Sequence, residues 1–184
     1  MPLNKLFFQT ATQKTLKLFL NKPTQDILAS DVKKELALSR AGINIALNKL
    51  LEQGLIQERK AGNASIYNLA SDHLIIRHAK TFNCIMSLYQ LIEALSESVD
   101  KIILFGSCAR GDSTEDSDID LMVLTRNKKE AAQIIAKFKN DLPIKSIFKT
   151  LIEFIDLEKS DLSFYREVIS GVILFEAQQS FGKE

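Results

Sequence analysis

The chain has 184 residues, 46% of them hydrophobic and 26% charged, which is the composition of an ordinary globular protein with one large or two small domains. Its two cysteines, Cys84 and Cys108, lie in no CxxC motif or His-rich cluster, which excludes a zinc ribbon or a disulfide scaffold and favours a reducing cytosol. The first residues lack the apolar run of a signal peptide, and no stretch approaches the roughly 18 apolar residues that span a bilayer. We therefore expect a soluble cytoplasmic protein with no membrane partner.

The net charge of +1 is unevenly distributed along the chain. Residues 1–73 contain ten Lys or Arg against six Asp or Glu, whereas residues 74–184 contain fourteen against seventeen. The basic front part favours a polyanionic partner, and the acidic back part suits bound cations.

The front part is predicted to contain three short helices followed by a β-hairpin. Apolar residues at helical spacing, a stop at Pro23 and serine caps at Ser30 and Ser39 predict helices over residues 12–20, 31–36 and 40–53. Two strands are predicted over residues 55–59 and 65–69, with Gly62 and Asn63 as the turn pair.

A long helix is predicted over residues 71–98, and it either forms a dimer surface or packs on its own domain. Beyond it strands and helices alternate, with strands over 101–105, 119–124, 150–157 and 172–175 and helices over 128–140 and 162–170. The predicted fold class is α+β, with a small α/β domain at the back of the chain.

The chemistry-bearing residues lie between two predicted buried strands. The first strand ends in Gly106 and Ser107, and ten residues later Asp118 and Asp120 open the second strand. Side chains two apart in a strand project from one face, so the two carboxylates would lie side by side. They repel each other unless a cation lies between them, and Mg²⁺ suits one or two carboxylates plus substrate phosphates.

Gly106 allows a tight turn and a close approach of the backbone to a phosphate, and Ser107 offers a hydroxyl and an N–H group to phosphate oxygens. These parts together predict a site for a nucleoside triphosphate and Mg²⁺ or Mn²⁺, with in-line attack at the α-phosphorus. An Asp-rich surface loop, or a site that binds nucleotide without turnover, remains an alternative interpretation. The motif is not a P-loop, because no GK[ST] follows the glycine.

A third carboxylate normally completes such a site, and the predicted strand over 150–157 offers Glu153 and Asp156 on opposite faces. We predict Glu153 as the third metal-binding and catalytic acid, because an unpaired acid between apolar neighbours in mid-strand is costly. Asp156 near the strand end is explained as a solvated turn residue.

At these residues the sequence resembles the minimal nucleotidyltransferases of the DNA polymerase beta superfamily, whose pattern is Gly-Ser, ten residues, Asp-x-Asp. The resemblance covers roughly residues 98–177 and implies Asp118, Asp120 and Glu153 as metal ligands and ATP or another nucleoside triphosphate as substrate. The family often has Gly-Ser-Arg-Ala-Arg-Gly at the turn. Here Cys108 replaces the first arginine, while Arg110, which we count with the nucleotide-binding residues, and Gly111 remain.

Residues 10–70 resemble a winged helix-turn-helix, whose recognition helix enters the major groove and whose wing contacts backbone phosphates. The resemblance implies a duplex-DNA surface made of residues on the third helix and in the wing: Arg40, Asn44, Asn48, Arg59 and Lys60. A module for dimerisation or partner docking is the alternative.

We therefore predict a winged helix-turn-helix domain over residues 1–73, a helical linker over 74–98 and a minimal nucleotidyltransferase domain over 99–184. The expected activity is transfer of AMP from ATP to a hydroxyl of a partner protein or a small molecule, in a homodimer. The alternative is a DNA-binding regulator whose back domain senses nucleotide without catalysis.

Overall fold

The computed structural model describes residues 6–177, which contain eight helices and two β-sheets, so the α+β class is confirmed. The chain forms two compact units. One comprises residues up to Met86 together with Gly111–Asp116, and the other comprises Ser87–Arg110 and the residues from Ser117 onward. Within residues 6–177, no helix combines the length and the apolar character needed to cross a bilayer.

The first unit begins with three helices and a three-stranded antiparallel sheet. Its elements are α1 (Ala11–Asn21), β1 (Ile27–Leu28), α2 (Ala29–Leu36), α3 (Arg40–Glu52), β2 (Ile56–Ala61) and β3 (Ala64–Leu69). The sheet has the order β1-β3-β2, and the hairpin turns at Gly62 and Asn63, since Ala61 pairs with Ala64. The three predicted helices and both predicted strands are confirmed, whereas β1 was not predicted.

Local capping explains where these helices begin. Ser39 caps α3 as predicted, because its hydroxyl accepts a hydrogen bond from the Gly42 N–H at 3.1 Å. The predicted cap at Ser30 is wrong. Helix α2 begins at Ala29, two residues earlier than predicted, and the Asp31 carboxylate accepts the Leu28 N–H at 3.0 Å.

The core of the first unit lies between its helices and the sheet. Phe19 of α1, Val32 of α2, Leu47 of α3 and Ile56 of β2 are each no more than 2% exposed and belong to one apolar cluster. Ile76 joins the same cluster and is also completely buried. Burial of side chains of this size stabilises a fold by about 1.5–3 kcal/mol each.

The long helix α4 (Leu74–Leu95) is confirmed but is shorter at both ends than predicted. Its residues up to Met86 belong to the first unit, and those from Ser87 belong to the second. Within the first unit the segment Gly111–Asp116 is held by polar contacts. Arg77 pairs with Asp112 at 3.4 Å, and the Thr24 hydroxyl donates to Glu115 at 2.7 Å.

The second unit is a four-stranded sheet with helices. Its elements after α4 are β4 (Lys101–Phe105), α5 (Gly106–Arg110), β5 (Ile119–Leu124), α6 (Lys128–Lys137), β6 (Ile144–Lys149), α7 (Leu151–Ser160), α8 (Leu162–Ile169) and β7 (Val172–Glu176). The strand order is β6-β5-β4-β7. Strands β5 and β6 are parallel, and β4 is antiparallel to both β5 and β7.

The strand predicted over residues 150–157 is wrong, because this segment is helix α7. Thr150 caps the helix by accepting the Glu153 N–H, and Glu153 accepts the Thr150 N–H in return, which is a capping box. Phe154 and Leu157, three residues apart, are the buried residues of this helix. The strand lies just before it, over residues 144–149, a segment for which no strand was predicted.

One face of the sheet packs against the last two helices. Ile103 and Phe105 of β4 and Met122 and Leu124 of β5 form an apolar cluster with buried residues of α7 and α8, namely Phe154, Leu157 and Val168. Phe105 also meets Phe164 edge to face, with ring centroids 5.7 Å apart. This face therefore carries an apolar cluster of the second unit and, where β4 ends, the residues that follow Phe105.

Replacing Gly111 by alanine should destabilise the first unit more than replacing Gly54. Both glycines have positive φ, 75° and 66°, so both alanines carry a backbone cost of about 1–2 kcal/mol. Only at Gly111 would a Cβ collide, 2.1 Å from the Arg77 carbonyl oxygen, whereas Gly54 has nothing within 4 Å. Overpacking adds about 1–3 kcal/mol, which urea denaturation measures. Equal destabilisation by the two variants would contradict this packing.

Candidate active site

Asp118 and Asp120 stand at the start of β5, on the sheet face that carries Phe105. Asp120 pairs with Phe105 across the β4–β5 ladder, and Asp118 lies two residues earlier, just before β5 begins. Residues directly opposite in an antiparallel pair, and residues two apart along an extended strand, share a face. The chain thus places the two carboxylates beside the turn that begins at Gly106.

Gly106 brings the backbone of this turn against the Asp120 carboxylate. Its φ is 70°, and a Cβ built there would lie 2.4 Å from Asp120 Oδ2. Any other residue would displace the carboxylate and strain the backbone. The glycine is therefore required by the position of Asp120 as well as by the turn.

Lys145 on β6 is the third charged residue at the aspartate pair. The parallel β5–β6 register places Lys145 directly beside Asp120, and the Lys145 ammonium forms an ion pair with Asp118. The hydrogen bond from Lys145 to Asp118 and the charge of that carboxylate raise the pKa of Lys145. The aspartate pair therefore already has one protein cation in contact with it.

Burial at the edge of the sheet raises the pKa of Asp120, and the negative charges of Asp118 and Glu167 raise it further, against the opposing effect of Lys145 and Arg110. Burial thus disfavours the ionised form of Asp120, and a cation beside the carboxylate would stabilise that form.

Ser107 and Arg110 belong to the short helix α5 that follows Gly106. Ser107 is half-buried in its first turn, and Arg110 is exposed. A guanidinium nitrogen of Arg110 lies 3.5 Å from a carboxylate oxygen of Glu167 on α8. Arg110 and Glu167 also both act on the charge of Asp120, which places them near the aspartate pair.

Cys108 lies at the position after Gly-Ser where the family often has an arginine. Its side chain is completely buried, and its thiol donates to the Asp118 carbonyl oxygen at 3.5 Å. Position 108 thus points into the interior and ties the turn to the residue that begins the Asp-x-Asp motif. A long cationic side chain would not fit there without rearrangement.

Glu153 does not join the aspartates in this structure, so the prediction that it is the third acid loses its basis. It is exposed on α7, where it accepts hydrogen bonds from the Lys128 ammonium at 2.8 and 2.5 Å and from the Thr150 N–H at 2.6 Å. These contacts, that of Lys128 first, lower its pKa to about 2. The strand-parity argument for Glu153 fails, because this segment is helix α7.

The remaining donor set fits one divalent cation held together with phosphates. Among residues 6–177, no three His, Cys, Asp or Glu side chains come together as a metal site. Mg²⁺ is nevertheless commonly held by one or two carboxylates and completed by water and substrate phosphates, a requirement that Asp118 and Asp120 meet. The repulsion between the two carboxylates favours such an ion.

Comparison with known proteins assigns this architecture. The family model described as "Polymerase beta, Nucleotidyltransferase" matches residues 89–180, which is half of the chain. The chain belongs to this nucleotidyltransferase family. The match contains the complete Gly-Ser, Asp-x-Asp segment and all strands of the four-stranded sheet.

One relative extends the comparison to a named activity. A protein of Methanocaldococcus jannaschii named "putative protein adenylyltransferase" is 46% identical over 44 residues. The match covers 22% of this chain and 44% of the relative, so the chain spans less than half of that protein. No solved structure matches the chain significantly.

The residues predicted to contact DNA lie on α3 and the β2–β3 hairpin, outside the nucleotidyltransferase match. Arg40, Asn44 and Asn48 are exposed and follow one another at intervals of four residues, which places them on one side of α3. Arg59 forms an ion pair with Asp26. Lys60 contacts Glu58 at 3.0 Å and Ser65 at 2.6 Å.

Two residues of the nucleotidyltransferase site were not identified from the sequence. Lys145 was missed because strand β6 was not predicted. Its position beside Asp120 results from a pairing between two strand residues 25 positions apart, which the local sequence does not reveal. Cys108 was noted only as a departure from the family pattern, although the inward direction of its side chain decides its contact. The sequence Ile-Lys-Ser-Ile-Phe-Lys of residues 144–149 does not alternate between apolar and polar residues, so it carried no clear signal for β6.

Glu153→Gln should reduce stability at neutral pH while leaving nucleotide binding unchanged. Glutamine preserves the capping box and removes the charge that pairs with Lys128. Because the pKa of Glu153 lies at about 2 in the folded chain against an ordinary value of 4.5, its stabilisation is present above pH 4.5 and is lost as the pH falls towards 2. The melting temperature of the variant should therefore approach that of the parent in acid.

Glu158→Gln, on the same helix and also exposed, is the matched control and should change little. A difference in melting temperature between Glu153→Gln and the parent that persists at pH 2 would show that the ion pair is not the cause. Loss of nucleotide binding in the Glu153→Gln variant would show that Glu153 belongs to the active site.

Proposed function

We propose that this chain binds a nucleoside triphosphate with a divalent cation at residues 106–120 and transfers its nucleotidyl group to a hydroxyl. The observation that carries the proposal is the pair of carboxylates, Asp118 and Asp120, on one strand face beside the Gly106 turn. Membership of the nucleotidyltransferase family supports it. The name of the Methanocaldococcus jannaschii relative favours AMP transfer from ATP, with a protein as one acceptor class.

Each residue of the site has a role in this proposal. Asp118 and Asp120 would hold Mg²⁺ or Mn²⁺, which would supply positive charge to the phosphates in an in-line displacement. Gly106 and Ser107 present backbone and hydroxyl groups to the phosphates, and Arg110 offers a guanidinium to the same oxygens. Cys84 and Cys108 are buried and are not joined in a disulfide, which agrees with the reducing cytoplasmic setting that we propose for this chemistry.

ATP binding should require magnesium or manganese and should disappear in the double variant Asp118→Asn, Asp120→Asn. The reason is that neutral amides no longer attract the cation that accompanies the triphosphate. Calorimetric titration with ATP in the presence of Mg²⁺, and again with EDTA, measures both effects.

The control for charge is Asp156→Asn with Glu158→Gln, which removes two exposed carboxylates from α7. This control should bind ATP as the parent does. Unchanged ATP binding in the Asp118, Asp120 double variant would show that these two residues do not form the ATP–metal site.

Transfer itself is tested with ATP labelled in the α-phosphate, Mg²⁺ and cell extract. Label should appear on an acceptor with the parent chain and not with the aspartate double variant. Mg²⁺-dependent ATP binding without any label transfer would favour the second candidate function, described next.

The second candidate is a DNA-binding regulator whose nucleotidyltransferase domain senses nucleotide without turnover. The specific observation in its favour is the ion pair between Lys145 and Asp118, because the residue beside Asp120 on β6 is a lysine and not an acid. Such a site retains a place for a metal-bound triphosphate, but this lysine, held as an ammonium, cannot deprotonate an attacking hydroxyl.

A DNA-binding front domain over residues 1–73 is common to both candidates, with residues 74–98 as the linker and 99–184 as the catalytic or sensing domain. Residues 1–5 and 178–184 lie outside the described residues. The proposal of a winged helix-turn-helix is supported by the order of its elements, in which three helices precede a hairpin that pairs with a short strand. The exposed row of Arg40, Asn44 and Asn48 suits a recognition helix.

We further propose a homodimer through α4. Ile75, Phe82 and Tyr89 are spaced seven residues apart, and their side chains are 57%, 39% and 40% exposed. Apolar residues at this spacing form one stripe along a helix, which is the pattern of a helix–helix interface. A two-fold dimer would present two recognition helices to half-sites about one turn of DNA apart.

The parent chain should retard the migration of duplex DNA at about 50 mM salt. Its affinity should fall as the salt concentration rises, because lysine and arginine side chains that bind phosphates displace the counterions of the DNA. Arg40→Ala should weaken discrimination between sequences. Replacing Arg59 and Lys60 by alanine should weaken binding to all sequences alike and reduce the salt slope by about one per phosphate contact. Gel retardation over a salt series measures each effect.

Lys49→Ala is the matched control for Arg40→Ala. Lys49 is exposed on the same helix but lies nine residues away, which is the opposite side of α3. It should therefore leave discrimination intact. A chain that retards no duplex at about 50 mM salt would favour a docking role for the front domain, and a monomer in light scattering would contradict the dimer.

A further inference from the structure

Lys145 occupies the position from which β6 can bring a charged group to the aspartate pair. Asp120 has two direct neighbours in the sheet, Phe105 on β4 and Lys145 on β6. Phe105 is apolar and packed in the core cluster. Position 145 is therefore the one place on the neighbouring strands from which a third metal-binding carboxylate could join Asp118 and Asp120 on their face.

Lys145 carries a positive charge where a three-carboxylate site would have a negative one. Two carboxylates and one ammonium leave a single negative charge, whereas three carboxylates would leave three. The Lys145 ammonium is also in direct contact with Asp118, so a cation entering beside Asp118 must displace it or approach it. Like charges at contact distance repel each other even in water.

The Lys145 ammonium is held beside Asp118 by the ion pair and not by packing of its side chain. The side chain of Lys145 is 67% exposed, and its stem lies on the outer strand of the sheet. An exposed lysine is a flexible point charge that readily exchanges one anionic partner for another. A phosphate oxygen beside Asp118 would offer such a partner.

We infer that Lys145 makes this site selective for a metal–nucleotide complex over a free divalent cation. The inference rests on the proposed nucleotide site and adds a specificity-determining residue to it. Without nucleotide, the ammonium repels a metal ion from the aspartates. With nucleotide, the negative charges of the triphosphate accept the ammonium, and the metal ion enters bound to the phosphates.

The inference predicts opposite effects of one substitution on two ligands. Lys145→Gln should bind Mn²⁺ alone about tenfold more tightly than the parent, because one repelling charge is removed. The same variant should bind Mn²⁺–ATP more weakly, because a phosphate contact is lost. Lys145→Glu should bind free Mn²⁺ more tightly again. A lysine with a merely structural role would produce no such opposed pair of changes.

The experiment titrates the full-length chain with Mn²⁺ in the absence of nucleotide, followed by electron paramagnetic resonance, and then with Mn²⁺–ATP by calorimetry. Lys149→Glu is the matched control, since it makes the same charge change on β6, beside Leu124 and about 13 Å along the strand. It should bind both ligands as the parent does. Melting curves confirm that each variant is folded, and Lys145→Gln decides the result if Lys145→Glu does not fold.

The two possible failures are distinguishable. If the parent binds Mn²⁺–ATP but Lys145→Gln and Lys145→Glu bind free Mn²⁺ no more tightly than Lys149→Glu, the inference about Lys145 is overturned and the nucleotide site stands. If the parent binds no Mn²⁺–ATP, the proposed function fails, and with it the selectivity that we assign to Lys145.

Discussion

The site depends on one electrostatic constraint, which is that two carboxylates lie side by side at the partly buried end of a strand. Burial and mutual repulsion both disfavour two ionised groups there, as the raised pKa of Asp120 shows. The surrounding residues accommodate that arrangement. Gly106 lacks the Cβ that would displace the Asp120 carboxylate, Cys108 holds the Asp118 carbonyl, and Lys145 supplies a positive charge. The sheet in turn fixes all of them, because the β4–β5 and β5–β6 registers set which residues meet.

The parts of this architecture that are local in sequence were predictable, and the parts that depend on pairing were not. Strands β4 and β5 are apolar runs with clear ends, and α3 has a serine cap and a helical stripe, so each was correctly placed. Residues 150–157 misled because a short apolar run fits a strand or a helix equally well. The decisive signal there was the capping box of Thr150 and Glu153, together with the three-residue spacing of Phe154 and Leu157. The neighbour of Asp120 on β6 could not be predicted once that strand was misplaced.

In the proposed function, binding and turnover depend on different residues. A turn and two carboxylates would hold the triphosphate with its metal ion, whereas transfer also needs a group that activates the acceptor hydroxyl. This chain has the first set of residues together at β4 and β5. At the sheet position beside them it has a lysine. Family membership therefore assigns the fold and the class of ligand, and the side chain on β6 bears on whether the ligand is a substrate.

The exposed location of Lys145 also has an evolutionary consequence. Codons for lysine and glutamate differ only in their first base, so a single transition exchanges the ammonium for a carboxylate. No core residue has to adjust, because the side chain at position 145 projects from the outer strand of the sheet. A carboxylate at position 145 can thus be gained or lost in one mutation, with no intermediate variant that fails to fold. If the proposed roles of these residues hold, an enzyme and a nucleotide receptor on this scaffold would differ by a single base change.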